Sequence, residues 1–113
     1  MQEKKKIVYL YGFSHTNDAK FDILLEIIQE HSQLNVDMVI IFLHDGVIGT
    51  SKRTLTNDKL RKLLNLPISV FALIPDIKAR GMDPKTLIDK VKGIEYDQLV
   101  DILIESEKIV SWM

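Results

Sequence analysis

The sequence predicts an α/β fold, a three-layer α/β/α sandwich around a mostly parallel five-stranded sheet. Two observations predict it. First, strand-like apolar runs alternate along the chain with amphipathic helical segments, which is typical of parallel sheets with right-handed crossovers. Second, residues 36–43 (VDMVIIFL) are almost continuously apolar, as expected for a strand buried on both faces. We expect one domain, residues 1–113, with a small flavodoxin-like arrangement.

The predicted strands are short runs rich in β-branched and aromatic residues. They span residues 6–13, 36–43, 68–74, 91–96 and 109–113. The fourth run, VKGIEY, is the weakest of them, because a glycine and two charged residues interrupt its apolar pattern.

The predicted helices carry apolar residues at helical spacing. They span residues 19–33, 58–65, 75–81, 83–90 and 97–108. Pro75 is tolerated in a first helical turn and Gly81 suits a helix end. Residues 44–57 form the longest candidate loop, with Gly46 and Gly49 inside it.

The composition excludes several classes of function. The net charge of −1 gives no overall attraction to nucleic acid or to an anionic membrane. The absence of cysteine excludes disulfides, thiolate metal sites and cysteine nucleophiles. No apolar stretch approaches the roughly 20 residues of a membrane span, and the start of the chain does not resemble a signal peptide. We expect a cytoplasmic protein.

Sequence motifs for phosphate binding and for serine catalysis are absent. The first predicted strand is followed by a single glycine, so neither a dinucleotide-binding nor a P-loop pattern is present. No nucleophile elbow of the G-x-S-x-G type occurs.

His15 and His44 follow strands that should end at the same edge of the sheet. Together with Asp45 or Asp18 they could supply metal ligands. The alternative, which the pattern favours, is that His44 and Asp45 start a turn before Gly46. The sequence therefore predicts neither a metal nor a cofactor.

Arg80 and Trp112 each have two interpretations. Arg80 could bind an anion or a partner through its forked guanidinium, or it could be a simple helix-end cation. Trp112 could pack in the core or lie in a subunit contact, where tryptophan concentrates binding energy.

Three stretches resemble the DsrE/DsrF/DsrH superfamily, in particular its DsrH/TusB-like branch. IIFLHDGVIGT is similar to that branch's second strand and D-G-V turn. VFALIPDIKARGM is similar to its next strand and Ala-Arg-Gly, and IEYDQLVDILIESEKIVSW to its ending. Their order and spacing match from the second strand onward, and they imply a DsrE-like fold.

The resemblance implies a place in a sulfur relay that carries protein persulfides for thiolation of the tRNA wobble uridine or for sulfur oxidation. The carrier-cysteine position of DsrE/TusD-like relatives falls near Leu73 here, and the loop at residues 14–17 has no cysteine either. The chain is therefore expected to be a non-carrier subunit, not an enzyme, beside DsrE/TusD-like and DsrF/TusC-like paralogues.

Such a subunit needs an apolar interface and a shaped cleft around a neighbour's cysteine. The interface candidates are Phe71, Tyr96 and Trp112. The cleft candidates are His15, His44, Asp45 and Arg80. His44 stands where relatives often have glutamine.

Three other functions stay open at this point. One is a free-standing homo-oligomer that binds a small ligand between its subunits. Another is an enzyme using His15, His44 and Asp45, with or without a metal. The last is a plain regulatory binding domain.

Overall fold

A computed structural model describes residues 5–14, 18–34, 36–52 and 58–112. The strands are β1 (Lys5–Tyr11), β2 (Val36–Phe42), β3 (Ser69–Leu73), β4 (Val91–Ile94) and β5 (Lys108–Trp112). The helices are α1 (Asp18–His31), α2 (Asp58–Leu64), α3 (Ile74–Ala79) and α4 (Tyr96–Glu105), with 3₁₀ turns at His44–Val47 and Pro84–Thr86. In this described part of the chain, no helix combines the length and the apolar character that a membrane crossing requires.

The five strands form one sheet in the order β4-β3-β2-β1-β5, and every pair of neighbours is parallel. The predicted fold class is confirmed. The last strand is parallel and lies beside β1, a position that the sequence left open. This order differs from the 2-1-3-4-5 order of flavodoxin itself, because β1 here lies between β2 and β5 and not between β2 and β3.

The helices cover the two faces of the sheet unequally. The steps from β1 to β2, β3 and β4 all move in one direction, so right-handed crossovers place α1, α2 and α3 on one face. The return from β4 to β5 runs the other way and places α4 on the opposite face. We call these the first and second faces. The second face therefore has one helix where the first has three.

Each face has its own hydrophobic core. The core of the first face contains aromatic residues of the sheet together with residues of α1 and α2 and Ile77 of α3. The core of the second face is smaller, and α4 packs on it through Leu99, Ile102 and Leu103. Alternate residues of a strand serve different cores: Tyr9 belongs to the first and Val8 to the second.

The predicted helix at residues 83–90 forms only one turn of 3₁₀ helix, at Pro84–Thr86. Asp83 caps that turn by accepting a hydrogen bond from the Lys85 N–H at 2.9 Å. Beyond the turn, backbone bonds across the fold replace helical ones, because Ile88 donates its N–H to Thr50. Local periodicity favoured a helix, and a long-range pairing overrode it.

Candidate functional site

Two short segments meet at the carboxyl-terminal edge of the sheet, where α/β proteins most often place their sites. The 3₁₀ turn His44–Val47 follows β2, and α3 (Ile74–Ala79) follows β3. The two strands are neighbours in the sheet, so the segments that leave them lie side by side. We call this pair of segments the edge site.

The turn at His44 has an unusual backbone. His44 has a φ of 50°, the left-handed region that residues other than glycine rarely occupy. Its N–H donates to Asp76 Oδ2 at 2.6 Å, which stabilises this conformation from α3. The imidazole itself is exposed. Left-handed backbone held by a neighbouring segment is common at functional loops.

Gly46 lets the turn lie directly against β1. A Cβ at this position would lie 2.2 Å from the carbonyl oxygen of Tyr11. That same oxygen accepts a hydrogen bond from the Leu43 N–H at 3.1 Å. The glycine in the D-G-V stretch is therefore required by close backbone contact.

Arg80 joins the two segments of the edge site. It donates to Asp45 Oδ1 from Nε at 3.1 Å and from Nη2 at 3.0 Å. Its Nη1 also donates to the backbone carbonyl of Asp76 at 3.2 Å. The structure thus brings His44, Asp45 and Arg80 together, and it adds Asp76.

A cleft of about 490 Å³ lies beside Arg80. Ser51, Met82 and Thr86 are among the residues that line it. The cleft adjoins the edge site through Arg80. Its wall combines the guanidinium of Arg80 with the hydroxyl groups of Ser51 and Thr86, which can hydrogen-bond a polar ligand.

Within the described residues, no group of three histidine, aspartate or glutamate side chains could hold a metal ion. His15, Asp18's side chain and the loop residues 16–17 lie outside what the structure describes. The side chains of the edge site discussed above, His44, Asp45, Asp76 and Arg80, supply charge and an exposed imidazole, and none of the four carries a hydroxyl or a thiol.

Leu73, which the resemblance predicts to be the carrier-cysteine-equivalent position, lies at the end of β3 and is 3% exposed. Its side chain belongs to the second-face core with Ile41 and Ile94. A buried core side chain therefore occupies this position.

The three interface candidates lie apart. Phe71 is half-buried on the second face, beside its register partner Lys92 of β4. Tyr96 is 57% exposed at the start of α4. Trp112 pairs with Tyr11 and packs against the first-face core. Trp112 thus lies on the face opposite Phe71, and an interface role for the three stays a prediction.

Two polar groups missed by the sequence reasoning lie at the ends of β1 and β5. Tyr11 Oη and Trp112 Nε1 are buried and have no hydrogen-bond partner in the described part of the chain. Burial raises the pKa of Tyr11 to about 12. Burial also raises the pKa of Tyr9, although its hydroxyl contacts His31 Nδ1. Asp76 was missed as well; the D in IPDIKA beside a helix start was the available signal.

Comparisons with known proteins place these features in a family. The family described as DsrH-like protein matches residues 14–109. The chain is 36% identical over 73 residues to Protein TusB of Yersinia pestis (strain Pestoides F), which covers 65% of this chain and 73% of the relative. Protein TusB of Yersinia pseudotuberculosis (serotype O:1b, strain IP 31758) matches equally well.

Two solved structures share the fold at low sequence identity. The ychN protein from E. coli superposes with a TM-score of 0.73 and 16% identity, covering 97% of this chain and all (100%) of that one. Protein MTH1491 from Methanobacterium thermoautotrophicum gives 0.75 and 12%, covering 96% and 99%. Fold and sequence agree, and the chain belongs to the DsrH-like protein family.

Proposed function

We propose that this chain is a non-carrier subunit of a sulfur-relay complex that serves thiolation of the tRNA wobble uridine. Its proposed partners are DsrE/TusD-like and DsrF/TusC-like chains that carry sulfur on a cysteine. One observation carries the proposal: a DsrH-like chain contains no cysteine at all.

The chemistry of persulfides explains why the absence of cysteine supports a non-carrier role. A persulfide forms when a thiolate attacks the outer sulfur of a donor persulfide, the donor leaves as its own thiolate, and the acceptor then holds that sulfur for transfer. No other side chain in the sequence can do this. The buried Leu73 supports the same conclusion, because it occupies the carrier-equivalent position as part of the core. The chain's contribution is therefore binding and shape, not catalysis.

The edge site supports a role in shaping a neighbour's cleft. Asp76 orients the turn at His44, and Arg80 holds Asp45 in place. An exposed imidazole on a fixed turn can approach a thiolate or persulfide presented by another subunit. The Arg80 charge is largely compensated by Asp45, so we assign this arginine to positioning the turn.

The test is genetic and biochemical. We expect deletion of the gene to remove 2-thiouridine from the wobble position, measured by mass spectrometry of tRNA nucleosides, and the intact gene to restore it. The tagged chain, purified from its own cells, should bring along cysteine-bearing paralogues. These should accept ³⁵S from a cysteine desulfurase in a form that dithiothreitol releases.

Two outcomes would contradict the proposal. One is unchanged 2-thiouridine in the deletion strain. The other is a purified chain that takes up ³⁵S by itself. A third result, a stable homo-oligomer that binds a small ligand in the cleft near Arg80, would favour the second candidate function, a free-standing ligand-binding protein; the cleft of about 490 Å³ is the observation behind it.

A further inference from the structure

Exposed apolar side chains concentrate on the second face, at α4 and β5. Tyr96, Val100, Ile104 and Ile109 are 57%, 50%, 75% and 48% exposed. The first three are four residues apart, so they form one stripe along α4. Ile109 is the register partner of Val8, a residue of the second-face core, so it lies on the same side of the sheet. We call these four residues the α4 stripe.

The stripe is not needed to pack α4 onto the sheet. Leu99, Ile102 and Leu103 make that contact, and they lie on a different flank of the helix. The apolar surface of α4 is therefore wider than the part that the sheet covers. Exposed apolar residues four apart on one helix form a continuous apolar surface, and such a surface marks an interaction site more often than singly exposed apolar residues do.

Acidic residues border the stripe. Between residues 95 and 108 the chain has five carboxylates and one lysine. Glu105 pairs with Lys6 at 3.4 Å. Asp97, Asp101 and Glu107 form no ion pair with any residue that the structure describes. The result is an apolar centre with an uncompensated negative border.

This charge pattern selects the partner. Two copies that met through the same surface would bring the Asp97 and Asp101 of both chains together, and like charges across an interface oppose association. A different chain with an apolar surface bordered by lysine and arginine would gain both apolar burial and charge complementarity.

We propose that the α4 stripe is the docking surface for a different polypeptide, one with a basic-bordered apolar face. The identity of that polypeptide rests on the proposed function, where it is a cysteine-bearing paralogue of the same complex. The α4 stripe is then the surface of this chain that makes the contact, and its acidic border opposes the same contact between identical chains.

The test compares matched variants in the reconstituted complex. We would co-express the chain with the DsrE-like and DsrF-like chains of its own organism and measure affinity by titration at increasing NaCl. We expect Ile104→Asp and Val100→Asp to weaken binding at least tenfold. The control is Ile23→Asp on α1, which is also about half exposed, at 48%, but lies on the first face; it should bind like the wild type.

Charge variants examine the border separately. Wild-type binding should weaken as the NaCl concentration rises, because salt screens the attraction between the two charged borders. The double variant Asp97→Lys, Asp101→Lys should bind more weakly at low salt, and its affinity should not fall further as salt is added. Circular dichroism should show every variant folded, since all these side chains are exposed. A variant that fails this check is replaced by Ile104→Ser or Val100→Ser, with the same expected direction.

The outcomes separate the two proposals. If the wild-type chain binds neither paralogue, the proposed function fails. If the wild type binds and the stripe and border variants bind equally well, only the docking surface is wrong. If sedimentation shows a dimer of the chain alone that Ile104→Asp dissociates, a second copy occupies the stripe and the inference is overturned.

Discussion

Tyr11 carries a hydroxyl that folding removes from water without replacing its hydrogen bond. The ring itself is well packed, edge-on, against Phe13, Phe21 and Phe42, and the Oη has no partner in the described residues. An unsatisfied buried hydroxyl costs about 1–3 kcal/mol. The aromatic contacts of this residue therefore stabilise the fold while its polar atom opposes it.

Tyr11→Phe should accordingly raise the free energy of unfolding by about 1 kcal/mol, measured by urea denaturation, because the ring contacts stay and the orphaned hydroxyl goes. Tyr9→Phe is the matched control. It removes a hydroxyl that contacts His31, so it should lower stability. A less stable Tyr11→Phe protein would show that the hydroxyl has a partner.

The same residue makes stability depend on alkaline pH. Burial raises the pKa of Tyr11 to about 12, whereas in the unfolded chain tyrosine ionises near pH 10. Between these values the unfolded state loses a proton that the folded state keeps, so stability falls as pH rises from about 10 to 12 and is unaffected below. The free energy of unfolding of Tyr11→Phe, measured by urea denaturation, should fall less steeply with pH across this range than that of the wild type. Equal slopes for the two proteins would contradict the assignment.

Gly46 leads to an expectation about backbone contact. Gly46→Ala places a methyl group 2.2 Å from the Tyr11 carbonyl oxygen, so the turn must move and we expect a loss of about 2–3 kcal/mol in denaturant unfolding. Gly81→Ala is the control. It has a φ of 72° but nothing within 4 Å, so only backbone strain of about 1 kcal/mol is expected. A loss no larger than the control's would show that the turn yields easily.

At the scale of elements, the 3₁₀ turn at His44–Val47 depends on α3 for its shape. Arg80, the residue directly after α3, reaches it through a side-chain ion pair, and Asp76 of α3 accepts a backbone hydrogen bond from it. The Asp45 side of the pair is 65% exposed, and exposed pairs add little to global stability. The contacts therefore order a local segment.

Arg80→Ala should speed amide hydrogen exchange at residues 44–47 while leaving the melting temperature nearly unchanged. Exchange mass spectrometry with peptide resolution measures this. Lys85→Ala, a change in an exposed residue outside the edge site, is the control and should leave the turn's exchange unaltered. A melting temperature lowered by many degrees would mean that the pair supports the whole fold.

At the scale of the whole molecule, β5 completes the sheet at the far side from β4. It pairs with β1 over five residues, and the half-buried Trp112 packs on the first-face core. Without β5, the edge of β1 and the ring of Tyr11 lose their cover. The last strand thus supports the sheet and also contributes Ile109 to the α4 stripe.

A chain ended after Glu107 should therefore fail to give a cooperative thermal transition by circular dichroism, because both the β1 pairing and the Trp112 packing are lost. The control, Ser111→Ala, changes an exposed residue of β5 and should melt like the wild type. A truncated chain that still melts cooperatively would show that β1 can serve as an edge.

Local information was enough for the fold class and for the order of the main elements. Apolar runs such as residues 36–43 predict buried strands because burial on both faces leaves no place for polar side chains. The lack of cysteine follows from composition alone. The shared edge of parallel strands predicted only that His15 and His44 end up close together, and the family resemblance added Asp45 and Arg80 to the predicted cleft.

Only the tertiary structure decided the strand order, the face on which Trp112 lies, the bond from Asp76 to His44, and the unequal cover of the two faces. Each depends on pairing between segments far apart in sequence, such as β5 with β1. Helical periodicity likewise showed that α4 is amphipathic, with Leu99, Ile102 and Leu103 on its apolar side. That Tyr96, Val100 and Ile104 stay exposed beside them was decided by the packing of the whole chain.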